Sequence, residues 1–222
     1  MIVLALETTG DTCGVALASC TSAGMNLIEL REVFGSNVHD ARIAEFTQGV
    51  LSGGNVLIED VDLVAVSAGP GSFTGTRIGV SFAKGLTLSG RPQLMLVDTA
   101  RALAGAAHEI AIAAGRRGVM VVIPSHQDMV YTDSYVLADT GDLVRSPFDS
   151  PRLQRISEIE EHCCDERVLV CGPGAGACTP SPISGLTRLS ARFIAREACR
   201  HPVFDNPLTA EPLYRQEFKG RY

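Results

Sequence analysis

The sequence predicts an α/β protein made of two tandem lobes, each with the element order β-β-β-α-β-α. Two observations carry that prediction. Apolar runs change from strand-like alternation to helical spacing in the same order twice along the chain. The turn after the fourth strand also repeats, as "VSAGPGS" at 66–72 and "VCGPGAG" at 170–176. Duplication of one lobe explains both coincidences, with a chance recurrence of short apolar runs as the alternative. With 222 residues, 45% of them hydrophobic, the chain can bury the core of one larger domain or two small lobes. The expected division is residues 1–98 and 99–222.

Each element has a local reason. "MIVLAL" and "CGVALASC" (13–20) flank the turn-rich "ETTGDT" and read as a hairpin, which "LIELREVF" (27–34) extends. Ile43, Phe46, Val50 and Leu51 then recur at helical spacing until Gly53 and Gly54 end the stripe. "VDLVAVS" (61–67) is an apolar strand, and a helix follows near 74–89. The alanine-rich residues 99–114, opened by Asp98 and closed by Gly115, read as a crossover helix. Beyond it come strands at 119–123, 129–138 and 142–148, a helix near 153–163, the strand "RVLVC" (167–171) and a helix near 188–200.

Composition excludes several functions. No apolar run approaches the roughly 20 residues of a membrane span, and the start "MIVLALETT" resembles no leader. A cytoplasmic protein without membrane contact is expected. Seven cysteines, none in a CxxC pair, argue against a disulfide framework and a zinc site and favour reduced, buried thiols. A net charge of −6 attracts no polyphosphate diffusely, so contact with nucleic acid needs a local patch or a partner.

The stretch "SAGPGSFTGTRIGVSFAKG" (67–85) asks whether its glycines cradle a phosphate. It lacks the lysine of G-x-x-x-x-G-K-[ST], and Gly75 falls one residue too late after Gly69 and Gly71 for G-x-G-x-x-G. Gly69, Gly71, Ser72 and Thr74 ahead of a helix, with Glu7, Thr8 and Thr9 after the first strand, remain candidates for a weak anion site. Within the helix, Gly75, Gly79 and Ala83 recur every four residues and clear a strip for a second helix. Ile78, Phe82 and Leu86 would then face the parent sheet. The strip's neighbour is either helix 40–51 of the same lobe or another subunit.

Taken together, "LALETTGDTCGVAL" (4–17), "GPGSFTGTRIGVSFAKGL" (69–86) and "EPLYRQEF" (211–218) resemble the bacterial TsaB (YeaZ) family. The resemblance implies a ribonuclease H-like fold of the actin-like ATPase superfamily. It implies a non-catalytic subunit in tRNA threonylcarbamoyladenosine modification, with neither catalytic residue, metal nor cofactor of its own. The expected partners are TsaD, as a heterodimer, and TsaE, with a homodimer in isolation and tRNA met only through the complex. It assigns the interface to the two N-lobe helices, hence to Ile43, Phe46, Val50, Gly75, Gly79, Phe82 and Ala83. On that reading Gly79→Leu abolishes the dimer and leaves the circular dichroism unchanged.

The same resemblance marks departures. The catalytic relatives' H-x-x-x-H pair is reduced to His39, with Ile43 four residues on. Glu7 stands where actin-like ATPases carry aspartate, Pro173 occupies the second glycine turn, and "PSH" (124–126) replaces the usual "DAR". The alternative is an ATP-dependent transferase acting on its own. One pattern belongs to this sequence alone: Arg188, Arg192, Arg196 and Arg200 recur every four residues, as a solvated face or as a contact for tRNA phosphates. Arg215, Lys219 and Arg221 make the last residues locally basic.

Overall fold

The computed structural model describes residues 1–35, 39–88, 91–146, 151–163, 165–179 and 182–213. Arg215, Lys219 and Arg221 lie outside the described residues, as does most of "EPLYRQEF" and the end of the strand expected at 142–148.

The N-terminal lobe opens with a meander of β1 (Ile2–Glu7), β2 (Thr12–Thr21) and β3 (Gly24–Phe34). Then follow α1 (His39–Gly53), β4 (Leu63–Ser67), α2 (Phe73–Thr87) and β5 (Gln93–Val97). The sheet order is β3-β2-β1-β4-β5, with β4 and β5 parallel to β1. β5 is absent from the sequence-based order. Its residues Leu94 to Val97 are apolar without a break and mostly buried, so they carry no alternation to separate them from a loop between two helices.

α3 (Thr99–Ala113) leads to β6 (Gly118–Pro124), β7 (Met129–Leu137), β8 (Leu143–Arg145), β9 (Arg152–Arg155), α4 (Ile156–Cys163), β10 (Val168–Cys171) and α5 (Ala191–Arg200). The second sheet runs β10-β6-β7-β8, and β9 also pairs with β7. The expected third strand is thus in two pieces, and residues 152–155 are strand before the helix begins. Both sheets keep their first four strand positions in the order third, second, first, fourth. Two ribonuclease H-like lobes are therefore present, without a fifth parallel strand in the second sheet among the described residues.

Alternation along the strands sorts the core into layers. Val3 and Ala5 of β1 join Ala16, Ala18, Leu63 and Ala65 on the inner face, together with α3, α5 and the inner face of the second sheet. Leu4, Leu6, Val15, Leu17, Val64 and Val66 form the opposite face, covered by α1 and α2. A smaller cluster of Met120, Val122, Val130, Val170 and Ile159 lies under α4. The lobes exchange helices: α5 packs on β1, β2 and β3, whereas α3 packs on β6 and β10. Alanines on both partners, Ala16 and Ala18 against Ala191, Ala195 and Ala198, make that close approach possible.

Two expectations are corrected here. Cys20 of β2 and Cys199 of α5 form a disulfide, with Cα atoms 5.5 Å apart across 179 positions of sequence. Such a pairing depends on α5 crossing to the other lobe's sheet, which cysteine spacing does not encode. Arg188 does not continue the arginine row, because α5 starts only after Ser190, whose hydroxyl caps the Arg192 N–H at 3.2 Å. The Arg188 guanidinium instead lies 4.6 Å from the Phe34 ring centre.

Candidate functional site

The residues singled out around the glycine stretch do meet in space. β1 and β4 are adjacent parallel strands, so both chain turns, 7–12 after β1 and 67–73 after β4, leave the sheet at one edge. Gly69 and Gly71 hold φ angles of 104° and 156°, which side-chain-bearing residues rarely adopt. A Cβ on Gly71 would overlap the Thr9 carbonyl. The turn is thereby pressed onto the segment that follows β1.

Hydrogen bonds close this contact from both sides. The Ser72 N–H donates to the Thr9 carbonyl at 2.5 Å, and the Thr8 hydroxyl donates to the Gly75 carbonyl at 2.7 Å. The N–H groups of Gly75 and Thr76 donate to the Ser72 hydroxyl and carbonyl. Two of the helix-start donors that a phosphate would need, the Ser72 and Gly75 N–H groups, are thus spent within the turn. Glu7, Thr8 and Thr9 are sealed, with exposures of 0, 0 and 1%, while Ser72 and Thr74 stay exposed on the outside. The structure brings the anion-site candidates together but divides them between an enclosed half and a surface half.

Electrostatics follow from that enclosure. Glu7 Oε1 accepts from the Thr9 N–H at 2.5 Å and from the Thr9 hydroxyl at 2.7 Å. Oε2 is buried without a hydrogen-bond partner among the described residues. Burial pushes the Glu7 carboxyl up to about 7, partly opposed by those hydrogen bonds. Burial and the nearby Glu7 charge push the Cys13 thiol up to about 11, so it stays protonated and unreactive. The glycine turn packs directly on Thr8 and Thr9, the two residues that follow Glu7. Among the described residues no three His, Cys, Asp or Glu side chains are placed to hold one metal ion.

The second glycine turn repeats the device. Gly172, at φ 99°, follows β10, and a Cβ there would overlap the Val122 carbonyl of β6. The Gly174 N–H donates to that carbonyl at 2.9 Å. In each lobe the turn after the fourth strand is therefore pinned against the end of the first.

The interface candidates separate by depth. Gly75, Gly79 and Ala83 face the parent sheet, with Gly79 against Thr8 and Val66, so the small-residue strip is no open groove. This corrects the expected orientation of α2: Ile78, Phe82 and Leu86 are the half-exposed side. Contact with the Thr8 backbone at Gly75 and with the Thr8 and Val66 side chains at Gly79 demanded the glycines, and an apolar stripe beside them gave no sign of which face would win. Ile43 and Val50 are also buried under α1, whereas Phe46 reaches partway to the surface.

A polar cluster at the lobe junction went unnoticed in the sequence. Arg145 of β8 donates to Asp133 Oδ2 at 2.7 Å and to Asp98 Oδ2 at 2.8 Å, and the Tyr135 hydroxyl donates to Asp133 at 2.8 Å. Asp98 also caps α3 through the N–H groups of Ala100 and Arg101. Arg101 in turn donates to Glu197 of α5 at 3.1 Å. Burial pushes Asp133 upward from its ordinary value, against the pull of Tyr135 and Arg145.

The comparisons with known proteins place this geometry among relatives. The family model described as "TsaD: tRNA N6-adenosine threonylcarbamoyltransferase" matches residues 34–152, more than half of the chain. The tRNA threonylcarbamoyladenosine biosynthesis protein TsaB of Escherichia coli K12 is 31% identical over 143 residues, covering 64% of this chain and 58% of that protein. TsaB of Haemophilus influenzae is 28% identical, covering 76% of this chain and 66% of that protein. The chain thus spans a little under two thirds of either relative. A Pseudomonas aeruginosa protein described as similar to peptidase YeaZ shares the fold, with a TM-score of 0.76, 22% identity and coverage of 97% of this chain and 99% of that one.

Proposed function

Because the chain belongs to the TsaB (YeaZ) branch of the family that the tRNA N6-adenosine threonylcarbamoyltransferase model describes, we propose that it is a non-catalytic subunit of tRNA threonylcarbamoyladenosine modification. It holds TsaD in a competent state. The observation that carries this reading is the sealing of Glu7, Thr8 and Thr9 beneath the glycine turn. Those are the side chains an actin-like ATPase would turn toward its nucleotide, and here they serve as internal staples.

The docking surface is the outer side of α1 and α2. Phe46 and Phe82 supply its half-exposed apolar contacts. Ile43, Val50, Gly75, Gly79 and Ala83 hold the two helices on the sheet beneath it. Burying such a face against two matching helices gains hydrophobic free energy without distorting either subunit. A second copy meets the same face when TsaD is absent, and TsaE is a further partner of the assembly. Among the described residues no helix is long and apolar enough to cross a membrane.

Co-purification with TsaD, followed by tRNA modification with and without this chain, tests the proposal. Modification that proceeds equally well without the chain overturns it. Calorimetry with ATP and magnesium addresses the rival, an independent ATP-dependent transferase. Binding to the isolated chain tighter than about 10 μM, roughly −7 kcal/mol, would favour the enzyme.

A further inference from the structure

The buried side of α5 is spent on Phe193, Ile194, Ala195 and Ala198, which leaves Arg192, Arg196 and Arg200 on the other side. Arg192 and Arg200 are exposed and Arg196 is half-buried. All three line a groove of about 650 Å³ between α5, the end of α3 and the turn joining β2 to β3, with Glu109, Ile110 and Met25 on the facing walls. We infer that this groove binds the phosphate backbone of an RNA strand, an inference that rests on the tRNA reading above.

Three features favour RNA over a merely solvated face. Residues four apart on a helix are separated by about 6 Å along its axis, so the three guanidinium groups form a ladder along which successive phosphates can lie. Their local charge opposes the net −6 of the whole chain, so the patch is no by-product of a basic surface. The counter-charge is also incomplete. Glu109 pairs with Arg196 and, at 3.5 Å, with Arg200, while Arg192 has no carboxylate partner among the described residues.

Glu109 is 69% exposed. A pair of that kind contributes about 0–1 kcal/mol and yields readily to a phosphate. Arg196 is only 27% exposed, so its stem already lies along the groove wall and loses less freedom on binding. Buried Glu197, by contrast, points to Arg101 and does not neutralise the ladder.

The test uses the full chain co-purified with TsaD and a fluorescein-labelled tRNA transcript, followed by anisotropy from 50 to 200 mM KCl. Arg192→Gln, Arg196→Gln and Arg200→Gln together are expected to weaken binding at least about tenfold and to flatten the slope of log K against log salt by about 2. Glu109→Gln is expected to tighten binding several-fold, which keeps the test decisive if the triple variant folds poorly. Overturning results are a folded triple variant equal to wild type, no gain with Glu109→Gln, no binding by wild type, or displacement of the RNA by poly-glutamate at equal charge concentration. Co-elution of the triple variant with TsaD, together with lost tRNA affinity, isolates the groove. A wild-type chain that never co-elutes with TsaD strikes the subunit reading instead.

Discussion

Gly79 of α2 lies so close to Thr8 that a methyl group on its Cα would overlap the Thr8 hydroxyl, which itself donates to the Gly75 carbonyl at 2.7 Å. This position therefore serves the fold before it serves any partner. Overpacking costs about 1–3 kcal/mol, offset by roughly 1 kcal/mol from alanine's better helix propensity. Gly79→Ala should lower the melting temperature by a few degrees, at roughly 2–4 °C per kcal/mol for a chain of this size. Gly79→Leu should unfold the N-terminal lobe, visible as lost ellipticity. An unchanged melt of Gly79→Ala would contradict the packing.

Gly85, on the same helix, has open space where a Cβ would stand. Gly85→Lys should leave the melt unchanged or raise it, because lysine forms helix better than glycine by up to about 1 kcal/mol. If the outer face of α2 docks the partner, the same substitution should abolish both the homodimer in sedimentation and co-elution with TsaD. Retention of both would move the interface elsewhere.

Glu7 ties stability to pH. Its carboxyl is raised from an ordinary 4.5 to about 7 by burial, so the folded state holds the proton more tightly than the unfolded chain. That contribution is whole below pH 4.5 and disappears as pH rises through 7, a loss of about 3 kcal/mol at most. Urea midpoints of the wild type should fall between pH 5 and 7.5. Glu7→Gln should flatten that profile and be the more stable form at pH 8. Parallel profiles would show that Glu7 does not carry the dependence.

Arg145 joins Asp98 of the lobe junction to Asp133 of β7. Removing one member of a buried pair costs about 3–5 kcal/mol, but Arg145 is 40% exposed, so water compensates part of it. Arg145→Met is expected to cost about 2 kcal/mol in urea denaturation. Asp133→Asn in the same chain should recover part of that loss, since only Asp98 then keeps a carboxylate without its guanidinium partner, and the α3 N–H groups it caps hold that charge. Additive losses would show that the two groups act separately.

Legibility in the sequence followed the range of the interaction. The hairpin of β1 and β2, the alanine-rich α3 and the paired glycine turns were readable because alternation, caps and turn residues act within a few positions. β5 was not, because a short strand buried on both faces lacks a period. The candidate anion site was legible as a set, and Glu7, Thr8, Thr9, Gly69 and Gly71 do converge. Its enclosure depended on how tightly two turns 60 residues apart would press together.

By itself the sequence determined two repeated α/β lobes, glycines that admit a close backbone approach, and a basic row along one late helix. Only the tertiary structure decided that Gly75 and Gly79 admit Thr8, that Cys20 meets Cys199, and that Arg192, Arg196 and Arg200 share a groove with Glu109. The physical reason lies in the exchange of α3 and α5 between the lobes. Local patterns specify a helix and its apolar side, but which sheet receives that side is settled by shape and burial over the whole chain.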